Sequence, residues 1–283
     1  MFIRCAFLTL LVSAILLGAA GSRAQGPGAA AGPQIGAPPA QGRPAPPRPQ
    51  QYSVSDGGTT ETLESIAIPP KAGAPFTLTL QTEWVKTLYD GGTITLVNQR
   101  KIARDVNGRI YQERWYIVPK TGKMKSQMTT TQISDPNAHT HYNCFMLEEP
   151  KICVLGSFAP TTNAVYNHEG PPAGPLPNDM GNSIHDELGK QLTSGVETVG
   201  YRISTTYNPG VFGNDMNLTV SKEFWYSPQL GINLISKRSD PRFGVQTFTV
   251  TNLILAEPDP KLFELPEGYK VEDRRATTQP EDE

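Results

Sequence analysis

The chain has 283 residues, with 25 basic and 27 acidic side chains, 26 Gly, 26 Pro and three Cys. A formal net charge of −2 excludes the strongly basic surface that nucleic acid or an anionic membrane would need. The length suits one large β domain, which can bury a core without metals or many disulfides.

Taken in chain order, Met1 to Arg4 is a short basic start and Ala6 to Ala20 an apolar run. Ser22-Arg23-Ala24 then ends the run with small residues at the outer positions of a cleavage site. This predicts a signal peptide over 1–24, removed after Ala24. An uncleaved anchor is the alternative, for which the run is short. Cys5 lies at the wrong end for a lipid-attachment site, so the expectation is a periplasmic or secreted chain with no integral membrane segment after cleavage. Removing Arg4 and Arg23 leaves 23 basic against 27 acidic side chains, a net charge of −4.

Residues 25–51 are almost wholly Gly, Ala, Pro and Gln. They cannot bury a core and are expected to be a disordered Pro/Gly/Ala-rich linker. The domain is expected over 52–271.

From Phe76 the pattern has period two. Phe76, Leu78 and Leu80 alternate with Thr77, Thr79 and Gln81, Ile94 and Leu96 with Thr93 and Thr95, and Phe248 and Val250 with Thr247 and Thr249. Half-buried antiparallel strands read this way. Asp90-Gly91-Gly92 and Ser227 to Gly231 divide strands, and Asn107-Gly108 predicts a type I′ hairpin. Residues 218–255 read as a three-stranded meander. Short helices are expected at Thr62 to Ala67 and Asp186 to Leu192, and Glu169 to Asn182 is expected to be a loop. Near the end, Asp259 suits an N-cap and Pro260 the first helical position. One apolar turn, Leu262-Phe263, can then dock on the sheet as a latch. Glu272 to Glu283 is expected to fray as a polar tail.

Cys144 and Cys153 flank FMLEEPKI. In an oxidising compartment they can pair. A two-residue loop at Glu148-Glu149 would set them opposite one another, but Pro150 would then close the hairpin without an N–H to donate. A longer loop would offset the sulfurs, and two small buried hydrophobes is the other reading.

The stretches RKIARDVNGRIYQER, LGKQLTSGVETVGYRIS, EFWYSPQLGINLI and EPDPKLFELPEGYKV together resemble the LolA/LolB/RseB-like half-barrel superfamily of lipoprotein carriers. The likeness is to secreted bacterial members of acidobacterial type. It spans about residues 76–271. The resemblance implies a mainly β fold: a single curved antiparallel sheet of roughly ten strands, an open half-barrel with few short helices, wrapped around a hydrophobic cavity. The chain departs from the best-known members in lacking a lipid-attachment site and a helical lid.

The resemblance makes an apolar cavity the first candidate site, with a wall of Phe76, Leu78, Leu80, Ile94, Leu96, Phe224, Tyr226, Phe248 and Val250. A chain-like ligand gains ~0.8 kcal/mol per buried CH₂. The plain alternative is that these residues fill the core. His139-Thr140-His141 puts two imidazoles about 7 Å apart on one face of a strand, and a third ligand such as His168 or His185 would be needed for a metal. Two loop histidines is the simpler reading, and no metal or cofactor is expected. There is no G-x-S-x-G, and neither cysteine carries a catalytic signature. Glu113 beside Arg114, and Glu223 beside Lys222, read as ordinary surface charge. Arg109, Arg114 and Trp115, with Glu223, Trp225 and Tyr226, read as cross-strand packing or an interface patch.

The expectation is therefore a non-enzymatic binding module for an acyl chain, a lipid or a lipidated protein. An envelope protein-interaction or sensor domain with a filled core is the alternative. Neither reading involves nucleic acid.

Overall fold

In a computed structural model of the protein, the structure describes residues 63, 65–158 and 171–275. All of them belong to one compact unit, Tyr52–Glu283. The signal peptide, the linker, His168, the first part of the expected loop and the end of the tail lie outside the described residues.

Among the described residues, fourteen strands form one sheet. They are β1 (Phe76–Thr87), β2 (Thr93–Arg104), β3 (Ile110–Trp115), β4 (Val118–Pro119), β5 (Met128–Asp135), β6 (Thr140–Phe145) and β7 (Ile152–Ser157). The second half holds β8 (Gly174–Pro175), β9 (Gly181–Thr193), β10 (Val196–Tyr207), β11 (Leu218–Ser227), β12 (Ile232–Asp240), β13 (Gly244–Ile254) and β14 (Lys270–Asp273). Their order is β14-β7-β6-β5-β3-β2-β1-β13-β12-β11-β10-β9-β8, with β4 beside β2. The sheet is open and mainly antiparallel, as the sequence leads one to expect, with more strands than the resemblance implied. The β14–β7 pair is parallel.

The β11–β12–β13 meander follows the expected boundaries. Asn252, which breaks the alternation of its strand, sits at φ 49° where the β1–β13 register slips. Other expectations are corrected. Asp186 to Leu192 is strand, because it pairs along β10. Its helix-like spacing comes from a bulge at Leu188-Gly189, opposite Gly200, where Gly189 takes φ +85°. Thr62 to Ala67 carries no helix among its described residues. Ile66 is instead buried in the core, and the following Pro69-Pro70 disfavours helical backbone before it. The second part of the expected loop is ordered as β8 and a 3-10 turn, Pro177–Asp179. The Asn107-Gly108 turn is not type I′. The Asp105 carboxylate accepts from the N–H groups of Asn107 and Arg109 at 3.0 and 2.7 Å, so only Gly108 needs the left-handed region.

Register fixes which side chains share a face. On the first face, Phe76, Leu78, Leu80, Phe248 and Val250 meet Ile102, Leu230, Ile232, Leu234 and Val196 in the main core. The segment around Leu63, Ile66 and Ile68 packs over them. Arg104 ties this cover down. Fully buried, it donates to Pro69 O (3.0 Å), Ala74 O (2.9 Å) and Leu230 O (2.7 Å), and its guanidinium lies over the Phe76 ring at 4.7 Å. Burial lowers its pKa to about 10.

On the second face a smaller cluster joins Ala103, Tyr111 and Ile133 to Phe263. Phe263 comes from the 3-10 turn Pro260–Phe263, the expected latch. The Asp259 side chain accepts from Lys261 N at 3.0 Å, and Pro260 fills the first turn. The chain then runs on through β14 beyond Val271, pairing Glu272 with Val154 and Asp273 with Leu155. Cys144 and Cys153 are register partners joined by a disulfide. Residues 146–151 connect the two strands, so the longer loop does not offset the sulfurs. No helix among the described residues is long and apolar enough to cross a membrane.

Candidate functional site

β2 and β3 pair through Ile102–Gln112, Ala103–Tyr111 and Arg104–Ile110, and then part. The chain regains β2 only at β4, through Leu96–Pro119 and Val97–Val118. Between these points side chains replace the ladder. Glu113 Oε2 accepts from the backbone N–H of Lys101 at 3.0 Å. Asn98 Nδ2 donates to Trp115 O at 2.9 Å, and Arg100 to Glu113 O at 3.4 Å. Backbone polar groups at a gap must find such partners. The Asn98 Oδ1 and Thr131 Oγ1 atoms, both buried, have none.

A cavity of about 840 Å³ lies over this gap. Its floor is second-face side chains: Thr79, Gln81 and Glu83 of β1, Val97, Gln99 and Lys101 of β2, and Thr247 and Thr249 of β13. Glu113, Trp115, Val118, Lys120 and Ser126 line one side, and Thr82, Asn98 and Arg100 belong to the first face. Lys120 pairs with Glu83 at 2.7 Å. The carboxylate of Glu113 also accepts from Trp115 Nε1 (2.8 Å) and Tyr111 Oη (3.1 Å). Burial, and the charge and hydrogen bond of Glu113, hold the Tyr111 phenol well above its usual range. Val97, Trp115 and Val118 give the cavity an apolar strip on a floor of amides and hydroxyls.

The nine expected wall residues stand elsewhere. Phe76, Leu78, Leu80, Phe248 and Val250 are at most 3% exposed within the main core, and Phe224 is buried. Leu96 and Tyr226 are half-buried and Ile94 is exposed. None of the nine lines the cavity over the gap. His139 lies in a turn at φ 52°, and His141 Nδ1 is 2.7 Å from Ser134 Oγ. Among the described residues no group of three or more His, Cys, Asp or Glu is placed to hold a metal.

The aromatic and charged patch is cross-strand packing. Trp225 Nε1 donates to Glu223 Oε1 at 3.2 Å, and Glu223 pairs with Arg202 at 2.8 Å. The indole covers Gly200, where a Cβ would meet Trp225 Cζ3 at 2.7 Å. Sequence reasoning passed over Arg100, Gln81, Gln99 and the bridging role of Glu113. One signal was present: Glu-x-Trp recurs at 113–115 and 223–225, and both times the indole donates to the glutamate.

No family model matches the chain, and no curated protein matches it. Solved structures do. MucB in the Pseudomonas aeruginosa MucA/MucB complex is 11% identical with a TM-score of 0.32, over 69% of this chain and 56% of that one. The chain thus spans little more than half the length of that protein. LprF from Mycobacterium bovis is 13% identical (TM-score 0.24, 66% of this chain and 90% of that chain). Lipoprotein LppX from Mycobacterium tuberculosis is 8% identical (0.25, 64% and 86%). At such identities and scores the likeness carries no argument about ligand or partner.

Proposed function

We propose that this chain is a non-enzymatic binding module of the periplasm or the secreted space, and that it takes an amphipathic ligand, a lipid or a lipidated protein, over the gap between β2 and β3. The observation that carries the reading is the cavity of about 840 Å³, a size that suits a small ligand. An acyl segment would lie on Val97, Trp115 and Val118, and a polar portion on Gln81, Gln99 and Thr249. On the first face, by contrast, the apolar side chains of β1 and β13 pack on one another in the main core.

The filled core also favours a second reading, an interaction domain whose partner docks on the same open face. Extraction and mass spectrometry on protein purified without detergent separates the two. A stoichiometric acyl species, lost in Trp115→Ala, supports the ligand reading. An empty protein that also leaves a fluorescent fatty acid unbound at ~10 μM, about 7 kcal/mol, sinks it in favour of a protein partner.

A further inference from the structure

Across β2, β3, β5 and β6 the first face carries a row of cationic and amide side chains. Gln112, Gln132 and Asn143 are register partners on adjacent strands. Two residues further along, Arg100 and Arg114 occupy the same face where β2 and β3 part. Arg114 Nε donates to Gln132 Oε1 at 2.7 Å, and Gln132 Nε2 passes the chain on to Asn143 Oδ1 at 2.8 Å. Arg100, 5% exposed, donates to Gln112 Oε1 at 3.1 Å and to Ser65 Oγ at 2.7 Å.

All these acceptors are neutral. Among the described residues neither arginine has a carboxylate in salt-bridge contact, and the terminal N–H groups of Arg114 have no partner. A guanidinium buried among neutral acceptors, as Arg100 is, is costly, since buried charge calls for an opposite charge. Burial, and then the charge of Arg114, lower the Arg100 pKa to about 9, with Glu113 offsetting part of this from the opposite face. Burial lowers Arg114 as well. His141, on the same face of β6, is lowered by burial and by Arg114, against a raising hydrogen bond that its ring donates to Asn143.

We propose that Arg100 and Arg114, with the amides of Gln112, Gln132 and Asn143 around them, bind a phosphate group on the first face of the sheet. Two guanidiniums carry the charge that a phosphate dianion neutralises, whereas a single carboxylate would leave one in excess. The planar fork of arginine also matches phosphate oxygens two at a time. This site shares Arg100 with the proposed ligand cavity, but Trp115 belongs to the cavity alone and Arg114 to the phosphate site alone. The phosphate belongs either to a free phosphomonoester or to a lipid headgroup. Glu64, one residue before Ser65, lies outside the described residues and enters the test.

The full chain is titrated calorimetrically with inorganic phosphate at low ionic strength. It is also floated with phosphatidylcholine vesicles, with and without phosphatidic acid. Saturable phosphate binding weakened about tenfold or more in Arg114→Gln, and less in Arg114→Lys, is the expected result. Binding confined to phosphatidic acid vesicles, with the same loss, supports the site and gives the source as a headgroup. Near-ultraviolet circular dichroism checks that each variant keeps its fold, and Arg114→Lys serves if Arg114→Gln does not. Three results overturn the proposal: no binding to either probe, binding unchanged in both Arg114 variants, or binding that appears only in Glu64→Gln, which would give the arginines to the chain's own carboxylate. Loss of the acyl ligand in Trp115→Ala with phosphate binding intact would separate the two sites.

Discussion

The Glu113 carboxylate accepts from the backbone N–H of Lys101 at 3.0 Å, so a side chain stands where β3 should offer a carbonyl to β2. The same carboxylate holds the Trp115 indole and the Tyr111 hydroxyl. One residue thus satisfies three donors and keeps the sheet open beneath the cavity.

Replacing it tests that arrangement. Glu113→Ala leaves all three donors to find water or nothing, and should cost about 1–3 kcal/mol. Urea denaturation followed by tryptophan fluorescence would read this as a lower midpoint. An unchanged midpoint would mean that water replaces the carboxylate without loss.

Arg104 makes a larger claim. Its three carbonyl partners lie in two segments far apart in sequence, Pro69 and Ala74 in one and Leu230 in the other. Arg104→Met should cost about 3–5 kcal/mol, because buried carbonyls lose a charged donor together. Arg104→Lys keeps the charge with fewer fixed donors and should fall between. Equal stability of wild type and Arg104→Met would show that the cover over the core does not depend on this residue.

The disulfide closes a short loop, with a sequence separation of 9. Loop-closure entropy alone puts its contribution at ~2–3 kcal/mol. Thermal melts with and without reductant, and of a Cys144→Ala/Cys153→Ala variant, should agree on that loss. A reduced protein as stable as the oxidised one would assign the pair a packing role only.

Acidification should destabilise the fold in two stages. His141 is held below its ordinary value of 6.5, first by burial. The folded state therefore favours the neutral ring, so this contribution is complete above pH 6.5 and is lost as pH falls toward the lower folded value. For Asp240, burial alone would raise the carboxyl, but hydrogen bonds from Arg242 and the charges of Arg242 and Arg238 more than offset it and hold it below 3.8. That contribution disappears only at lower pH. Melting temperatures from pH 7.5 to 3 should fall in both windows, and His141→Asn should flatten the upper one alone. A wild-type curve flat from pH 7.5 to 5 would refute the first stage.

Much of the fold was legible because it is written in neighbouring residues. Phe76, Leu78 and Leu80 alternate with Thr77, Thr79 and Gln81, and a period of two can only be satisfied by a strand with one face in the core. Asp259 and Pro260 set the latch through contacts within three residues. The candidate site was not legible. Gln81, Gln99, Glu113 and Thr249 look like any outward-facing polar residues, and only the strand order brings them around one cavity.

Taken alone, the sequence determined the strand content, the meander over 218–255 and the latch. The tertiary structure decided which face is filled and which stays open. The apolar face of β1 could have lined a cavity. It is closed instead by the segment near Ile66, anchored where Lys71 Nζ donates to Pro228 O across a separation of 157 residues. Asp186 to Leu192 became strand for a similar reason, since β10 offers it a ladder along its whole length, where a short helix would leave most of its peptide groups open at its ends. Local periodicity fixes what each strand can bury, and long-range pairing determines what it meets there.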